Sequence, residues 1–205
     1  MQATLVIAQP IASEDQARSD FYALLARLFA DGPDATLLAA IARAERIDAK
    51  HPAIGEGWNR LIDASSVMDP EAAQQEYTDL FIGVGKSEVN LHASFWLSGF
   101  MMERPLASLR SQLSELGIAR RDEVAMLEDH LSALCETMRL LIAGDAERGP
   151  APLATQRAFF ERYLAPWVFE CCGAIVRCPI ANYYVHVAEF ARGFMVIDRD
   201  ALAMD

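Results

Sequence analysis

The sequence is short of strand-forming residues. Threonine and valine are scarce while leucine and alanine dominate, a bias toward helices. Glycine and proline are also few, 11 and 9 in 205 residues, and hydrophobic residues make up 53%. That composition argues against long disordered segments and suits one domain with a substantial core. Basic residues are outnumbered, 18 Lys and Arg against 29 Asp and Glu, for a formal net charge of −11. Nucleic acid is disfavoured as a partner, because phosphate binding needs clustered cations. The acidity suits a basic ligand such as an Arg-bearing peptide, and it also keeps an apolar helical chain in solution.

Several chemistries lack their signatures. The four cysteines, Cys135, Cys171, Cys172 and Cys178, match neither a zinc pattern nor a C-x-x-C pair. They read as reduced, partly buried thiols of a cytosolic protein. His51, His92 and His186 are isolated, none forming H-x-x-x-H with a neighbour, so a metal site would need convergence of distant residues. Gly83-Val84-Gly85-Lys86 resembles a fragment of a phosphate loop, but no strand precedes it, and a helix cap and turn is the better account. Residues 1–12 carry no secretory signal pattern, and Leu164 to Val176 is interrupted by Glu170 and too short to span a bilayer. The expectation is a cytoplasmic chain without stable membrane insertion.

What is present is helical periodicity. Ser13 opens a capping-box pattern before the stripe Phe21, Leu24, Leu25, Leu28, Phe29, which Asp31-Gly32-Pro33 stops. Asp34 caps a second helix through Leu37, Leu38 and Ile41. Trp58, Leu61 and Ile62 mark a third, with turn chemistry at Ser65-Ser66. Asp69-Pro70 starts the next, which carries Ala73, Tyr77, Leu80 and Phe81 on one face and ends at Gly83. Helices are expected over Ala93 to Met102 and from Pro105 to Gly117. Asp122 is the expected cap of a long helix whose apolar arc runs Val124, Leu127, Leu131, Leu134, Cys135, Met138, Leu141. On that wheel His130 and Glu128 fall at the edges of the arc and Asp129 opposite it, so that folding requires neither Asp129 nor His130. Gly144 to Thr155 is the candidate hinge. A helix through Phe160, Tyr163, Leu164, Trp167 and Cys171 follows. The last helix has Tyr184, Val187, Ala188, Ala191, Phe194 and Met195 inward. The fold class is all-α, a single-domain bundle of about nine to eleven helices.

Function concentrates in Tyr77 to Arg110 and in Glu128-Asp129-His130. No nucleophile–base pair or metal quartet sits there, and adjacent helical residues such as Asp129 and His130 diverge by about 100°. Tyr77, Phe81, Phe95 and Trp96 suit a core or a peptide-binding wall. An alternative is a thiol sensor or small enzyme using Asp129, His130 and the cluster Cys171, Cys172, Cys178. A third is a structural subunit of a membrane complex.

The motifs, taken in order, are Arg18-Ser-Asp-Phe21-Tyr22-Ala-Leu24-Leu25, Tyr77-Thr-Asp-Leu80-Phe81-Ile-Gly83 and Ala93-Ser94-Phe95-Trp96-Leu97. They continue with Leu106-Ala-Ser-Leu109-Arg110, Glu128-Asp129-His130-Leu131, Tyr163-Leu-Ala-Pro166-Trp167 and Tyr183-Tyr184. In this set and order the chain resembles the TorD/DmsD family of redox-enzyme maturation chaperones, NarJ-like proteins included. The resemblance implies a cofactor-free, non-enzymatic, cytoplasmic helical chaperone. Its partner would be the catalytic subunit of a molybdopterin oxidoreductase, bound through the twin-arginine signal peptide, the body, or both. It would assist cofactor insertion and hold back export. It further implies a monomer or helix-swapped dimer, and peptide binding by Tyr77, Leu80, Phe81, Asp129 and His130. Where relatives often have prolines and an aromatic, this chain has Asn90-Leu91-His92. The expected peptide site comprises Tyr77, Leu80, Phe81, His92, Phe95, Trp96, Glu128, Asp129 and His130. In it the apolar segment lies on Leu80, Phe81, Phe95 and Trp96, and the guanidinium groups meet Asp129 or Glu128.

Overall fold

A computed structural model describes residues 12–48, 52–83, 85–120, 125–146 and 148–204. Among them are ten α-helices and no strand: α1 Ser13–Ala30, α2 Ala35–Ala42, α3 Pro52–Val67, α4 Pro70–Tyr77, α5 Ala93–Ser98, α6 Arg104–Glu115, α7 Leu131–Ala143, α8 Leu153–Tyr163, α9 Val168–Arg177 and α10 Tyr183–Ala203. The all-α expectation holds. His51, Val84, Asp122, Val124 and residues 1–11 lie outside the described residues.

Helices α1 and α7 pack on each other, and α10 packs against α3, α9 and α8. Their apolar faces meet in one core. Tyr22, Leu25, Leu28 and Phe29 come from α1, Leu131, Leu134, Cys135 and Met138 from α7, and Tyr184, Val187, Ala188, Ala191, Phe194 and Met195 from α10. No helix among the described residues is long and apolar enough to cross a membrane.

Local signals set most boundaries. Asp34 and Asp69 each accept a hydrogen bond from the backbone N–H three residues on, at 2.7 Å and 3.0 Å, as N-caps do. Ser13 does not cap: helix α1 begins on it, and the Gln16 N–H goes to the Ala12 carbonyl. Helix α3 runs through Ser65-Ser66, where a turn was expected, and Ser65 pairs with the Tyr183 hydroxyl at 2.9 Å. Helix α4 continues into one π-helical turn, Thr78–Ile82, before Gly83 at φ 63° ends it. A Cβ at Gly83 would meet the Lys86 carbonyl as well as an unfavourable φ, so this stop needs glycine.

Helix α10 lacks a local cap: Asn182 offers no side-chain bond. The buried Glu76 carboxylate of α4 replaces it, accepting from the N–H groups of Asn182, Tyr183 and Tyr184 at 2.8, 3.0 and 2.9 Å. A second buried carboxylate, Asp198, takes Arg18 Nε at 2.6 Å and the Tyr22 hydroxyl at 2.7 Å, tying α10 to α1.

Two helices are shorter than their periodicity suggests. Helix α5 stops at Ser98 because Gly99 takes a left-handed conformation, leaving Phe100 and Met102 exposed. The helix expected from Asp122 starts only at Leu131, and residues 127–130 form a turn. The helix through Phe160 and Cys171 is two helices, α8 and α9, broken at Leu164 to Trp167. The expected hinge is the α7–α8 connection. It is pinned by Ala151 N–H to the Leu141 carbonyl at 2.8 Å and by the Arg148 guanidinium on the Leu116 and Gly117 carbonyls.

Candidate functional site

The aromatic segment before Gly83 is core. Tyr77 donates its hydroxyl to the Ala30 carbonyl at 2.9 Å, closing the end of α1. Phe81 packs edge-on against Tyr77 and Tyr184 with centroids at 5.2 and 5.0 Å, and Leu80 has no exposed surface. The expectation that Leu80 and Phe81 line a groove is therefore corrected. The side that would hold a ligand is filled by Phe29 and Tyr184, as base rates for buried aromatics suggest. Burial pushes the Tyr77 hydroxyl up to about 12. Phe95 and Trp96 are half-buried beside a small cavity of about 150 Å³ shared with Lys86, Val89 and Asn90. Trp96 Nε1 donates to the Asn90 carbonyl at 2.8 Å.

His92, Asp129 and His130 come together at a backbone crossing. Ala93 N–H donates to the Asp129 carbonyl at 2.9 Å and Leu131 N–H to the Leu91 carbonyl at 2.8 Å. The two imidazoles meet edge to face at 4.8 Å. These inter-segment bonds require extended backbone at His92 and His130, which is why the helical wheel fails there. Asp129 is buried, not solvated: its Oδ2 accepts from Ser94 N–H at 3.0 Å and the Ser94 hydroxyl at 2.5 Å. Its Oδ1 is buried without a hydrogen-bond partner among the described residues. His130 is the N-cap of α7, its Nδ1 accepting from Ser132 N–H at 3.2 Å. Burial, and then the neighbouring His92, push the His130 imidazole down to about 3. Burial also lowers His92, against the opposing pull of Asp129. Both rings are thus held neutral, and His130 must be neutral to accept.

Glu128 faces the other way. It lines a groove of about 590 Å³ between the end of α6 and one face of α7, and also an adjoining concavity of about 390 Å³. The floor is Ala133, Glu136, Thr137 and Leu140, one helical stripe, and Leu113, Ile118 and Met126 supply apolar walls. Every acid in it is paired. Glu136 holds Arg139 in a two-point contact at 2.7 and 2.8 Å, Asp145 holds Arg148 at 2.6 Å, and Glu128 holds Arg110 at 2.9 Å with Arg120 at 3.5 Å. Burial opposes ionisation of Glu128, but the hydrogen bond from Arg110, a backbone hydrogen bond at Glu128 itself, and the charges of Arg110 and then Arg120 outweigh it and hold the carboxyl below the usual range. The groove is charge-balanced, despite the net −11 of the chain. Its volume suits a small molecule or a few side chains of a docked helix.

Sequence reasoning missed Glu76, Glu136, Arg139, Asp145 and Arg148. The Glu136–Arg139 and Asp145–Arg148 spacings were available as local signals. Glu76 had none, because its partners lie more than a hundred residues away.

The thiols give no sign of reactivity. Cys135, Cys171 and Cys172 are buried and free, and Cys178 is half-buried. Burial pushes Cys172 up to about 12 and raises Cys135 and Cys171 as well. That is the opposite of the shift an attacking thiol needs. Among the described residues no group of His, Cys, Asp and Glu could hold a metal ion.

The model of a family described as nitrate reductase delta subunit matches residues 47–173, which include His92, Glu128, Asp129, His130, Glu136 and Asp145. No curated protein matches the chain with significance. Among solved structures, a protein from Archaeoglobus fulgidus assigned as a redox enzyme maturation protein superposes with a TM-score of 0.58 at 18% identity. The match covers 95% of this chain and 99% of that one, so the likeness is one of whole folds.

Proposed function

We infer from its membership of the nitrate reductase delta subunit family, to which this chain belongs, that it is a redox-enzyme maturation chaperone. In this reading it binds the twin-arginine signal peptide of a molybdopterin oxidoreductase catalytic subunit in the cytoplasm. It holds the client during cofactor insertion and delays its export. The observation that carries the reading is the groove of about 590 Å³ with an apolar wall and carboxylates already engaged by guanidinium groups.

A twin-arginine peptide offers two cations and then an apolar, helix-prone segment. The walls at Leu113, Ile118, Met126 and Leu140 suit that segment. A groove carboxylate that exchanges its own guanidinium for one of the peptide suits the cations, since charge-assisted bonds to a carboxylate are the strong ones. The half-buried Phe95 and Trp96 line a separate, smaller cavity. Asp129 and His130 then serve as positioning residues. They hold the turn that presents Glu128, and Asp129 keeps one buried oxygen unengaged.

The test is calorimetric titration with a peptide of two adjacent arginines and an apolar tail, against the same peptide with both arginines replaced by glutamine. Tighter binding of the arginine peptide at low salt, with the gap closing as salt rises, is the expected result. Equal affinities remove the reading.

A further inference from the structure

We propose that the Glu128 carboxylate is the guanidinium subsite of this groove, and that Arg110 and Arg120 occupy it as stand-ins until an arginine of the client displaces them. The inference rests on the reading of the groove as a peptide site.

The arrangement sets a mostly buried acid against more exposed bases. The Glu128 side chain is 13% exposed, whereas Arg110 and Arg120 are 49% and 37% exposed. Arg110 places Nε and Nη2 on the same Oε2, at 3.0 and 2.9 Å. Arg120 reaches Oε1 at 3.5 Å, a longer contact than either Arg110 bond. Glu128 also lines both concavities, so a side chain entering from either reaches it.

The other acids of the groove differ in kind. Glu136 and Asp145 pair with arginines three residues along their own segments, and those pairs reform whatever lies above them. The partners of Glu128 come from elsewhere: Arg110 lies in α6, eighteen residues away, and Arg120 follows that helix. An exposed arginine on a separate element can leave without disturbing the turn that carries the acid. Replacing one guanidinium by another leaves the charge at Glu128 unchanged. The electrostatic loss of release is therefore returned on binding, and the apolar tail supplies the net affinity. A lysine cannot reproduce the two-point contact, so the subsite discriminates arginine from lysine.

The test compares wild type with Arg110→Gln, a change at an exposed position where the fold is retained and the melting temperature stays near that of wild type. The probes are synthetic peptides with an Arg-Arg, Lys-Lys or Gln-Gln pair before one apolar, helix-forming tail. Arg110→Gln should bind the Arg-Arg peptide about threefold or more tighter than wild type at low salt. Arg110→Lys, which keeps charge without the fork, should fall between. Glu128→Gln should bind the three peptides alike. In wild type the Arg110 Nε resonance should move on adding the Arg-Arg peptide and stay in place with the Gln-Gln peptide. Normal binding by wild type with equal or weaker binding by Arg110→Gln overturns the stand-in and leaves the groove as a peptide site. Binding of the Arg-Arg peptide to neither protein, with an unmoved Arg110 resonance, overturns both.

Discussion

Asp129 and Ser94, 35 residues apart, are joined twice through a single carboxylate oxygen: Asp129 Oδ2 takes both the backbone N–H and the hydroxyl of Ser94. This contact closes the first turn of α5 onto the turn before α7, at the point where the neighbours of His92 and His130 exchange backbone bonds. It makes Asp129 a structural acid, not a helix-surface one.

Asp129→Ala should therefore destabilise the fold by about 1–3 kcal/mol, because it strands a buried backbone donor and a hydroxyl. A solvated helix residue would cost no more than about 0.5 kcal/mol. Ser94→Ala should cost less, since one donor to Asp129 remains. Urea denaturation of the two variants checks this. Wild-type stability in Asp129→Ala would return the residue to the solvent-facing role its helical wheel suggested.

His130 should make the protein acid-sensitive. Its imidazole titrates near the ordinary value of 6.5 when unfolded and about 3 when folded, so below 6.5 the unfolded chain binds the extra proton. Stability is fully present above that pH and declines as pH falls toward about 3, by up to about 1.4 kcal/mol per unit for one proton. His92, also lowered, acts in the same direction. His130→Asn keeps an acceptor for Ser132 N–H without a titrating ring and should flatten this acid limb. Chemical denaturation at a series of pH values would show it; parallel limbs for variant and wild type would count against the cap as the sensitive group.

Glu76→Ala should be among the most damaging single changes outside the apolar core. It leaves the first N–H groups of α10 without an acceptor and removes a negative charge from that helix end. About 1–3 kcal/mol is expected, with Glu76→Gln milder because one oxygen remains. Thermal melts followed by circular dichroism read this directly. A melt unchanged in Glu76→Ala would mean that α10 needs no cap.

Labelling should separate the cysteines. At neutral pH the native protein should take up one iodoacetamide, at Cys178. Cys135, Cys171 and Cys172 should react only after denaturation, since all three are buried with raised pKa values. Intact mass before and after guanidinium gives the count. Rapid native labelling of Cys171 or Cys172, or a reversible disulfide under mild oxidant, would revive a thiol-sensor reading.

The sequence alone determined what depends on near neighbours. The Asp34 and Asp69 caps, the Gly83 and Gly117 stops, and the inward faces of α1 and α10 follow from spacings of three and four residues, which one helix satisfies by itself. Motif order likewise reached the family without any view of the site. Tertiary structure decided the rest. The apolar period through Val124 to Leu141 describes a helix, but periodicity cannot say whether a backbone N–H bonds within its own helix or to another segment. Here Leu91 and Ala93 capture the backbone at Asp129 and Leu131, so the helix begins late. The same competition buried Asp129, turned His130 into a cap and left Glu128 facing the groove. It also buried Leu80 and set Phe81 against Phe29 and Tyr184 rather than on the surface. Contacts spanning 18, 35 and 106 residues leave no local trace in the chain, because they exist only once the helices have packed.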